Sequence, residues 1–340
     1  MFLEILLFIF VGIAAGVFAG LMPGIHPNNL IWILLGILPL LLTLGFTLQA
    51  IVALIVSMVV ANAITSFIPS IFLGAPEDST ALSVLPGHRL LLEGKGLEAI
   101  YLTIIGGVGV VILFVLLMPL LLIVLPIFYS YIRYYIPWIL ICIASVMVLD
   151  EEKIKKLWGL VVFLLAGLLG MIVLNSTLLE PTFLFFPLFT GLFGISTLLI
   201  SLGQKAKFPK QAKDFGIVKR ALAISGIVKG FFAGLIVGIL PAVGAAQAGT
   251  LVQIITRKED TREFLVGLGG INTSNSLFAL LALYTIGRLR SGAAVAVERI
   301  LGSFVFNDLL LLVATILFTA GIVVILTLYL SKKFLSFVEK

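Results

Sequence analysis

The chain has 340 residues, of which 61% are hydrophobic and 11% are charged, and its formal net charge is +6. Soluble globular proteins contain roughly 45–50% apolar and 25% charged residues, so the composition excludes a soluble protein and predicts a polytopic integral membrane protein in a lipid bilayer. The basic residues lie between apolar runs, which is typical of membrane topology and gives no indication of nucleic-acid binding.

The apolar runs predict membrane helices along the whole chain. They cover residues 3–22, 28–46, 48–73, 99–127, 134–149, 157–175, 181–202, 217–240, 243–256, 263–286, 292–306 and 309–331. A spanning helix needs about 20 apolar residues and several runs are shorter or interrupted, so we expect about ten to twelve membrane segments, some broken or re-entrant. The runs lack the alternation of barrel strands, which makes the predicted fold all-α.

The loops predict the orientation in the membrane. The first run has neither a basic n-region nor a cleavage site, so we expect a mature helix rather than a signal peptide. The N-terminus carries no Lys or Arg near this helix and is expected outside the cell. The loop 203–220 contains six Lys or Arg and one Asp, and the C-terminus adds further lysines. Both should therefore be cytoplasmic in a multi-pass protein of the cell membrane.

A duplicated segment indicates an internal repeat. "GVFAGLMPGIHP" (16–27) overlays "GFFAGLIVGILP" (230–241) after a shift of 214 residues, with eight of twelve positions identical. A shift of 213 places Asn62 on Asn275 and Gly74 on Gly287. The two copies begin in opposite electrostatic settings, which predicts opposite orientations in the bilayer, and inverted repeats are typical of secondary transporters. We therefore expect a first repeat at 1–200, a basic cytoplasmic linker at 201–216 and a second repeat at 217–340.

The first copy contains a predicted break at membrane depth. Pro23 and Pro27 each remove a backbone donor and Gly24 lowers helix stability further. Non-helical backbone at this depth is tolerated only inside protein or beside a water-filled cavity. We expect Asn28 and Asn29, which are good N-cap residues, to begin the next half-helix.

The second copy is interrupted in the corresponding place. Pro241 and Gly244 break the run, and Gln247 and Thr250 follow among small residues. One proline–glycine pair alone would indicate a simple kink. Two matched breaks, each followed by amides or hydroxyls, favour a binding site in a transporter.

Two polar stretches complete the predicted site. One runs from Asn62 to Ser70, and the other is the run of amides and hydroxyls from Asn272 to Ser276. Half-helix N-termini and such side chains suit an anion or a partly dehydrated cation. The candidate substrate-binding residues are Pro23, Gly24, His26, Asn28, Asn29, Asn62, Ser66, Ser70, Pro241, Gly244, Gln247, Thr250, Asn272, Thr273, Ser274 and Asn275.

Five charged or titratable side chains allow two interpretations each. His26 either titrates or binds an anion during transport, or it faces protein and stays neutral. His88 and Arg89 form an anion gate or, as we favour, snorkel to the interface. Lys229 snorkels or neutralises a substrate charge. Asp308 is an intramembrane acid or, as we favour, a helix N-terminal acid, because 23 residues without charge follow it.

The chain offers no catalytic or metal-binding motif. Two histidines 62 residues apart cannot form an H-E-x-x-H site, and neither G-x-S-x-G nor a Walker motif is present. A single cysteine, Cys142, excludes an intrachain disulfide. We therefore expect neither an enzyme nor a bound cofactor, beyond Na⁺ or H⁺ as a coupling ion.

These motifs resemble those of the membrane subunit of the tripartite tricarboxylate transporters, the TctA family. That family repeats G-x-x-P-G-x-G-P in its first half and G-x-x-P-G-x-G-A in its second, and here "GLMPGIHP" (20–27) and "GILPAVGA" (238–245) are similar to them. This register differs by four residues from the glycine overlay. The segment "FLGAPEDSTALSVLPGHRLLLEGKGLEAI" (72–100) is similar to the family's next motif in place and order. The resemblance spans most of the chain.

The chain also departs from the family pattern. His26 and Ala242 stand where the motifs have glycine, Glu77 and Asp78 add negative charge to the first half, and members of the family are longer. The resemblance implies a cation-coupled carrier of a small organic anion such as a di- or tricarboxylate. It also implies a small membrane subunit and an extracytoplasmic binding protein as partners.

Two other functions remain open from the sequence. A flippase for a lipid-linked phosphate, such as polyprenyl phosphate, would have a lateral opening to lipid between the repeats. A structural membrane subunit without transport activity would tolerate substitution of Pro23 and Gly24. A secondary transporter would lose transport on that substitution while staying in the membrane.

Overall fold

A computed structural model describes residues 1–75, 78–176, 188, 190–195, 199, 209–256 and 260–338. The helices are α1 (Phe2–Leu21), α2 (Pro27–Gly36), α3 (Leu38–Thr43), α4 (Leu48–Thr65), α5 (Phe67–Leu73), a 3-10 helix (Asp78–Ser83), α6 (Val84–Leu92), α7 (Gly96–Ile132), α8 (Ile136–Leu149), α9 (Ile154–Leu174), a π-helix (Thr190–Ile195), α10 (Arg220–Ile239), α11 (Ala245–Thr256), α12 (Thr261–Ile286), α13 (Gly292–Leu301) and α14 (Phe306–Val338).

The fold is all-α in the ranges described, as predicted. Seven helices there are long and apolar enough to cross a membrane: Phe2–Leu21, Leu48–Leu73, Gly96–Ile132, Ile154–Leu174, Arg220–Ile239, Thr261–Ile286 and Phe306–Phe337. The shorter apolar runs form the short helices α2, α3, α8, α11 and α13. The predicted run 181–202 lies mostly outside the described residues, as do Glu77 and the first part of the basic loop.

The chain divides into two compact units. The smaller unit comprises residues 134–207 and contains α8, α9 and the π-helix. Helices α8 and α9 pack against each other, and α9 buries none of its side chains. The larger unit comprises residues 1–133 and 208–340 and contains the remaining helices.

Two almost fully buried helices, α4 and α12, form the centre of the larger unit. Each packs along a helix whose glycines recur every fourth residue, α1 against α4 and α10 against α12. A Cβ on Gly16 would lie 2.1 Å from the carbonyl oxygen of Met58, and one on Gly230 would lie 2.8 Å from that of Gly267. Only glycine permits two helix backbones to approach this closely. The glycines of α1 and α10 therefore determine which faces of these helices pack against α4 and α12.

The two helix pairs share one packing register. Gly20 of α1 lies against Thr65 of α4, and Gly234 of α10 lies against Ser274 of α12. Adding 214 to a residue number in α1 gives its counterpart in α10, and adding 209 to one in α4 gives its counterpart in α12. The sequence overlay of 214 therefore aligns glycines that pack in the same way on the neighbouring helix. The shift of 213 is wrong for α4, because a shift of 209 places Asn62 on Ile271 rather than on Asn275. It does align Gly74 with Gly287, which both end a helix with φ +63°.

Contacts at helix ends give the directions of these helices. Glu4 accepts a hydrogen bond from the backbone N–H of Thr47 at 2.6 Å, so α1 and α4 begin at the same end. Phe72, after the end of α4, lies against Gly96 at the start of α7. Glu98 of α7 then pairs with Arg262 at the start of α12. Thus α12 begins where α4 and α5 end, and the two central helices run in opposite directions.

We call the end at which α7 and α12 begin the basic end. The described part of the basic loop lies here, because the Gln211 side chain accepts a hydrogen bond from Gly96 N and donates one to the Leu91 carbonyl oxygen. The C-terminal helix α14 also ends here, with Lys332 Nζ lying 4.7 Å from the ring centroid of Phe215. Helix α1 begins at the opposite end.

Candidate functional site

The first predicted break is present between α1 and α2. Helix α1 ends at Leu21, and Gly24 has φ +93°, a left-handed conformation that favours glycine. Helix α2 begins at Pro27, and its N-cap is His26, whose Nδ1 accepts a hydrogen bond from Asn28 N at 3.1 Å. The expectation that asparagines cap this helix is therefore wrong, because proline occupies the first helical position. Pro23, Gly24, His26 and Asn29 are exposed, and Asn28 is half-buried.

The second break lies between α10 and α11. Helix α10 ends at Ile239, and α11 begins at Ala245. Ala242 has φ +60°, so an alanine adopts the left-handed conformation here. The amide of Gly244 donates to the Gln247 side chain at 2.9 Å, which caps α11. Thr250 is half-buried and bonds back to its own helix through the Ala246 carbonyl.

An arginine outside the predicted site holds the second break together. Arg290 lies between α12 and α13, and its Nη2 donates to the carbonyl oxygens of Val237 at 2.6 Å and Val243 at 3.2 Å. These carbonyls stand on either side of Pro241, where the interrupted helix cannot satisfy them. The sequence signal for this arginine is the charged segment "GRLRSG" directly after an apolar run.

The segment that carries Arg290 also contacts the first break. A Cβ on Gly292, the first residue of α13, would lie 2.5 Å from Oδ1 of Asn28. On the next turns of the same helices, the Arg299 guanidinium stacks 5.5 Å from the ring centroid of Trp32. The connection between α12 and α13 therefore joins the two broken segments, which are 214 residues apart in the overlay.

The predicted polar residues of α12 point to three different neighbours. Asn272 donates to the Ala63 carbonyl oxygen of α4 at 2.9 Å. Thr273 faces Gly107 of α7, and Ser274 donates to the Gly230 carbonyl oxygen of α10 at 3.3 Å. Successive residues of a helix point about 100° apart, so these three side chains cannot line one cavity. Asn275 is half-buried.

The predicted polar residues of the first half are buried. Asn62 lies within α4, and Ser66 separates α4 from α5. Ser70 of α5 bonds to Ser83 Oγ at 2.8 Å and donates to the Thr80 carbonyl oxygen, which fastens the 3-10 helix to α5. Ser66 Oγ is buried without a hydrogen-bond partner in the described structure, as is Thr273 Oγ1. Thr273 lies near the middle of α12, and Ser66 directly follows the last residue of α4.

The basic end carries ion pairs that sequence reasoning missed. Arg262 donates to Glu98 at 2.6 Å, and the Glu98 side chain is only 8% exposed. Cavities of about 280 and 340 Å³ flank this pair and share Asp260 and Arg262 in their linings. They lie apart from the two breaks. No group of three His, Cys, Asp or Glu residues suited to a metal ion occurs in the ranges described.

The structure also places the residues with two interpretations. Lys229 reaches Glu263 at 2.7 Å, towards the basic end. Asp308 lies in the first turn of α14 and accepts a hydrogen bond from Val305 N, so its prediction is confirmed. Arg89 is exposed. His88 is half-buried against Gly74, and its burial lowers its pKa below the ordinary histidine value.

Comparison with known proteins shows the family to which the chain belongs. The model of the tripartite tricarboxylate transporter TctA family matches residues 6–340. The chain is also 34% identical over 291 residues to the uncharacterized protein MJ1079 of Methanocaldococcus jannaschii, covering 81% of this chain and 68% of that protein. No solved structure matches the chain.

The family match extends over both breaks, over six of the long helices and over the first long helix from residue 6 onward. TctA is a family of transporters rather than enzymes, and its members work with a binding protein and a small subunit. The long apolar helices independently require a multi-pass membrane protein. The chain belongs to the tripartite tricarboxylate transporter TctA family and is a membrane transport protein.

Proposed function

We propose that the chain is a secondary active transporter for a small organic anion such as a di- or tricarboxylate, coupled to Na⁺ or H⁺. The observation that carries this proposal is the contact of both broken segments with one connection, through Arg290 on the second and Gly292 on the first. Matched interrupted helices that meet inside a membrane protein are a typical substrate site of secondary transporters.

Two inverted repeats, 1–200 and 217–340, would move against each other about this site. The opposite directions of α4 and α12, together with the shared packing of α1 with α4 and of α10 with α12, support this arrangement. The side chain of Asn272 bonds to α4 where the central helices cross, so the two halves contact each other directly. Rocking about that crossing would expose the breaks to one side of the membrane at a time.

The orientation follows from charge. Residues 201–216 form the cytoplasmic linker in this proposal, and the basic end faces the cytoplasm because it gathers the described part of that linker and the C-terminal lysines. The start of α1 would then face outward. A binding protein outside the cell would deliver the anion, and a small membrane subunit would complete the complex.

The first test measures how ligands change the thermal stability of the purified protein. Tryptophan fluorescence during heating gives the melting temperature. Citrate, succinate, inorganic phosphate and polyprenyl phosphate are compared, each with and without Na⁺. A ligand at one hundred times its Kd adds about 2.7 kcal/mol to the free energy of unfolding. Stabilisation by a carboxylate, stronger with Na⁺ or at altered pH, is expected. Stabilisation by polyprenyl phosphate alone would favour the flippase and contradict the anion carrier.

A variant pair then separates transport from assembly. Pro23→Ala combined with Gly24→Ala should abolish carboxylate uptake into proteoliposomes while the protein remains in the membrane. The matched control is Pro119→Ala combined with Gly321→Ala, because both of these residues are exposed on helices away from the breaks. Unchanged uptake by the Pro23→Ala, Gly24→Ala variant would contradict a role of the first break in transport and leave only a structural role.

A further inference from the structure

Arg290 differs from Lys229 and Arg262, two other cations that lie among the helices. Lys229 is paired with Glu263, and Arg262 is paired with Glu98. In the described parts of the chain, Arg290 has no carboxylate within ion-pair distance, and its bonds go to two neutral carbonyls. A half-buried guanidinium without a counter-ion is costly, and an anionic ligand would remove this cost.

The guanidinium also retains an unused donor. Nε of Arg290 is buried and has no hydrogen-bond partner in the described structure. Nη2 is occupied by the carbonyls of Val237 and Val243. These bonds fix the side chain at the second break while Nε remains unsatisfied. A buried donor in this state calls for an acceptor that the described protein atoms do not supply.

The half-helices strengthen the positive potential around this arginine. Helix α13 begins two residues after Arg290, and the side chain of Asn28, in the first turn of α2, lies against its first residue. Helix α11 begins two residues after Val243, which Arg290 binds. The N-terminus of each helix carries a partial positive charge. The positive ends of three half-helices therefore gather around one guanidinium.

We propose that Arg290 binds a carboxylate group of the transported anion at the junction of the two broken segments. This inference rests on the proposed anion transport and names the group that recognises the substrate charge. The guanidinium holds the second break through one nitrogen and binds the carboxylate through its remaining donors. Substrate binding and the geometry of the broken helix are coupled through this one side chain.

The test measures equilibrium binding of radiolabelled citrate and radiolabelled succinate to purified protein. Arg290→Gln removes the charge, and we expect at least a tenfold loss of affinity for whichever carboxylate the wild type binds. The control is Arg220→Gln, which removes a guanidinium from the exposed start of α10, away from both breaks, and should bind like the wild type. Tryptophan fluorescence during heating establishes that both variants are folded.

Chemical rescue distinguishes a charge effect from a packing effect. Cys142 is the only cysteine, so Cys142→Ser permits selective labelling of an added Arg290→Cys. Labelling with a cationic aminoethyl thiosulfonate should restore part of the binding, whereas labelling with a neutral methyl thiosulfonate should not. Equal effects of the two labels would overturn the proposal.

The outcomes separate this inference from the proposed function. Wild-type binding with undiminished binding by Arg290→Gln would overturn the role of Arg290 and leave anion transport intact. Absence of citrate and succinate binding by the wild type would overturn both. If neither Arg290→Gln nor Arg290→Cys folds, Arg290→Lys is the deciding variant. An ammonium that donates to the two carbonyls would retain few donors for an anion. We expect at least fivefold weaker binding, and wild-type affinity would contradict the proposal.

Discussion

Asn28 and Gly292 are in direct contact across the two halves of the chain. A Cβ at position 292 would stand 2.5 Å from Oδ1 of Asn28 and 2.8 Å from its Cγ. This contact brings the start of α2 against the start of α13 and thereby joins the first broken segment to the connection that carries Arg290. Its closeness makes it a sensitive point for stability.

We expect Gly292→Ala to lower the free energy of unfolding by about 1–2 kcal/mol, because the new methyl group overpacks the contact. Asn28→Ala removes the three atoms nearest to the new methyl group, Oδ1, Cγ and Nδ2 of Asn28. The double variant should therefore be more stable than the sum of the two single effects. Melting curves of the four proteins in the same detergent measure this coupling, and strictly additive effects would contradict the contact.

Ala242 holds a left-handed backbone conformation, with φ +60°, at the second break. A side chain in this region costs about 1–2 kcal/mol, and glycine avoids this cost. We expect Ala242→Gly to raise the melting temperature. The control is Ala246→Gly inside α11, where glycine should lower the free energy of unfolding by about 0.5–1 kcal/mol. A loss of stability at both positions would show that the conformation at 242 is not strained.

Gly106 is the closest approach between α7 and α12. A Cβ there would lie 1.8 Å from the carbonyl oxygen of Val266, a backbone atom that cannot rotate away. We expect Gly106→Ala to destabilise the protein by about 1–3 kcal/mol or more. Gly321→Ala on α14, where no atom lies within 4 Å, should be neutral or stabilising by up to about 1 kcal/mol. Similar melting temperatures for the two variants would contradict the packing.

His88 lies outside the spanning helices and gives a pH-dependent stability. Burial lowers its pKa in the folded state below the value of about 6.5 in an unfolded chain. The unfolded chain therefore binds the proton first, and stability falls as the pH decreases from about 6.5 towards the lower folded pKa. His88→Gln should reduce this pH dependence of the melting temperature. An unchanged dependence would assign it to other groups.

The membrane helices and the two breaks could be predicted from the sequence for local physical reasons. A spanning helix must satisfy its backbone within about 20 apolar residues, so the runs at 3–22 and 263–286 correspond closely to α1 and α12. Pro23 and Pro241 interrupt their helices because proline lacks a donor wherever the chain folds. The glycines of the overlay lie at close helix contacts, because a Cβ at Gly16 or Gly230 would meet a neighbouring backbone.

Which residues lie together at the candidate site depends on the tertiary structure. Asn272, Thr273 and Ser274 are adjacent in sequence, yet helical rotation directs them to α4, α7 and α10. Arg290 is 53 residues from Val237 and 47 from Val243, whose carbonyls it binds, and only the folding of α13 against α2 brings Gly292 to Asn28. Hydrophobicity and backbone chemistry act within one segment, so helices and their interruptions can be predicted from the sequence of that segment. The partner of a polar side chain is set by the packing of distant helices, which the order of residues in one segment does not specify.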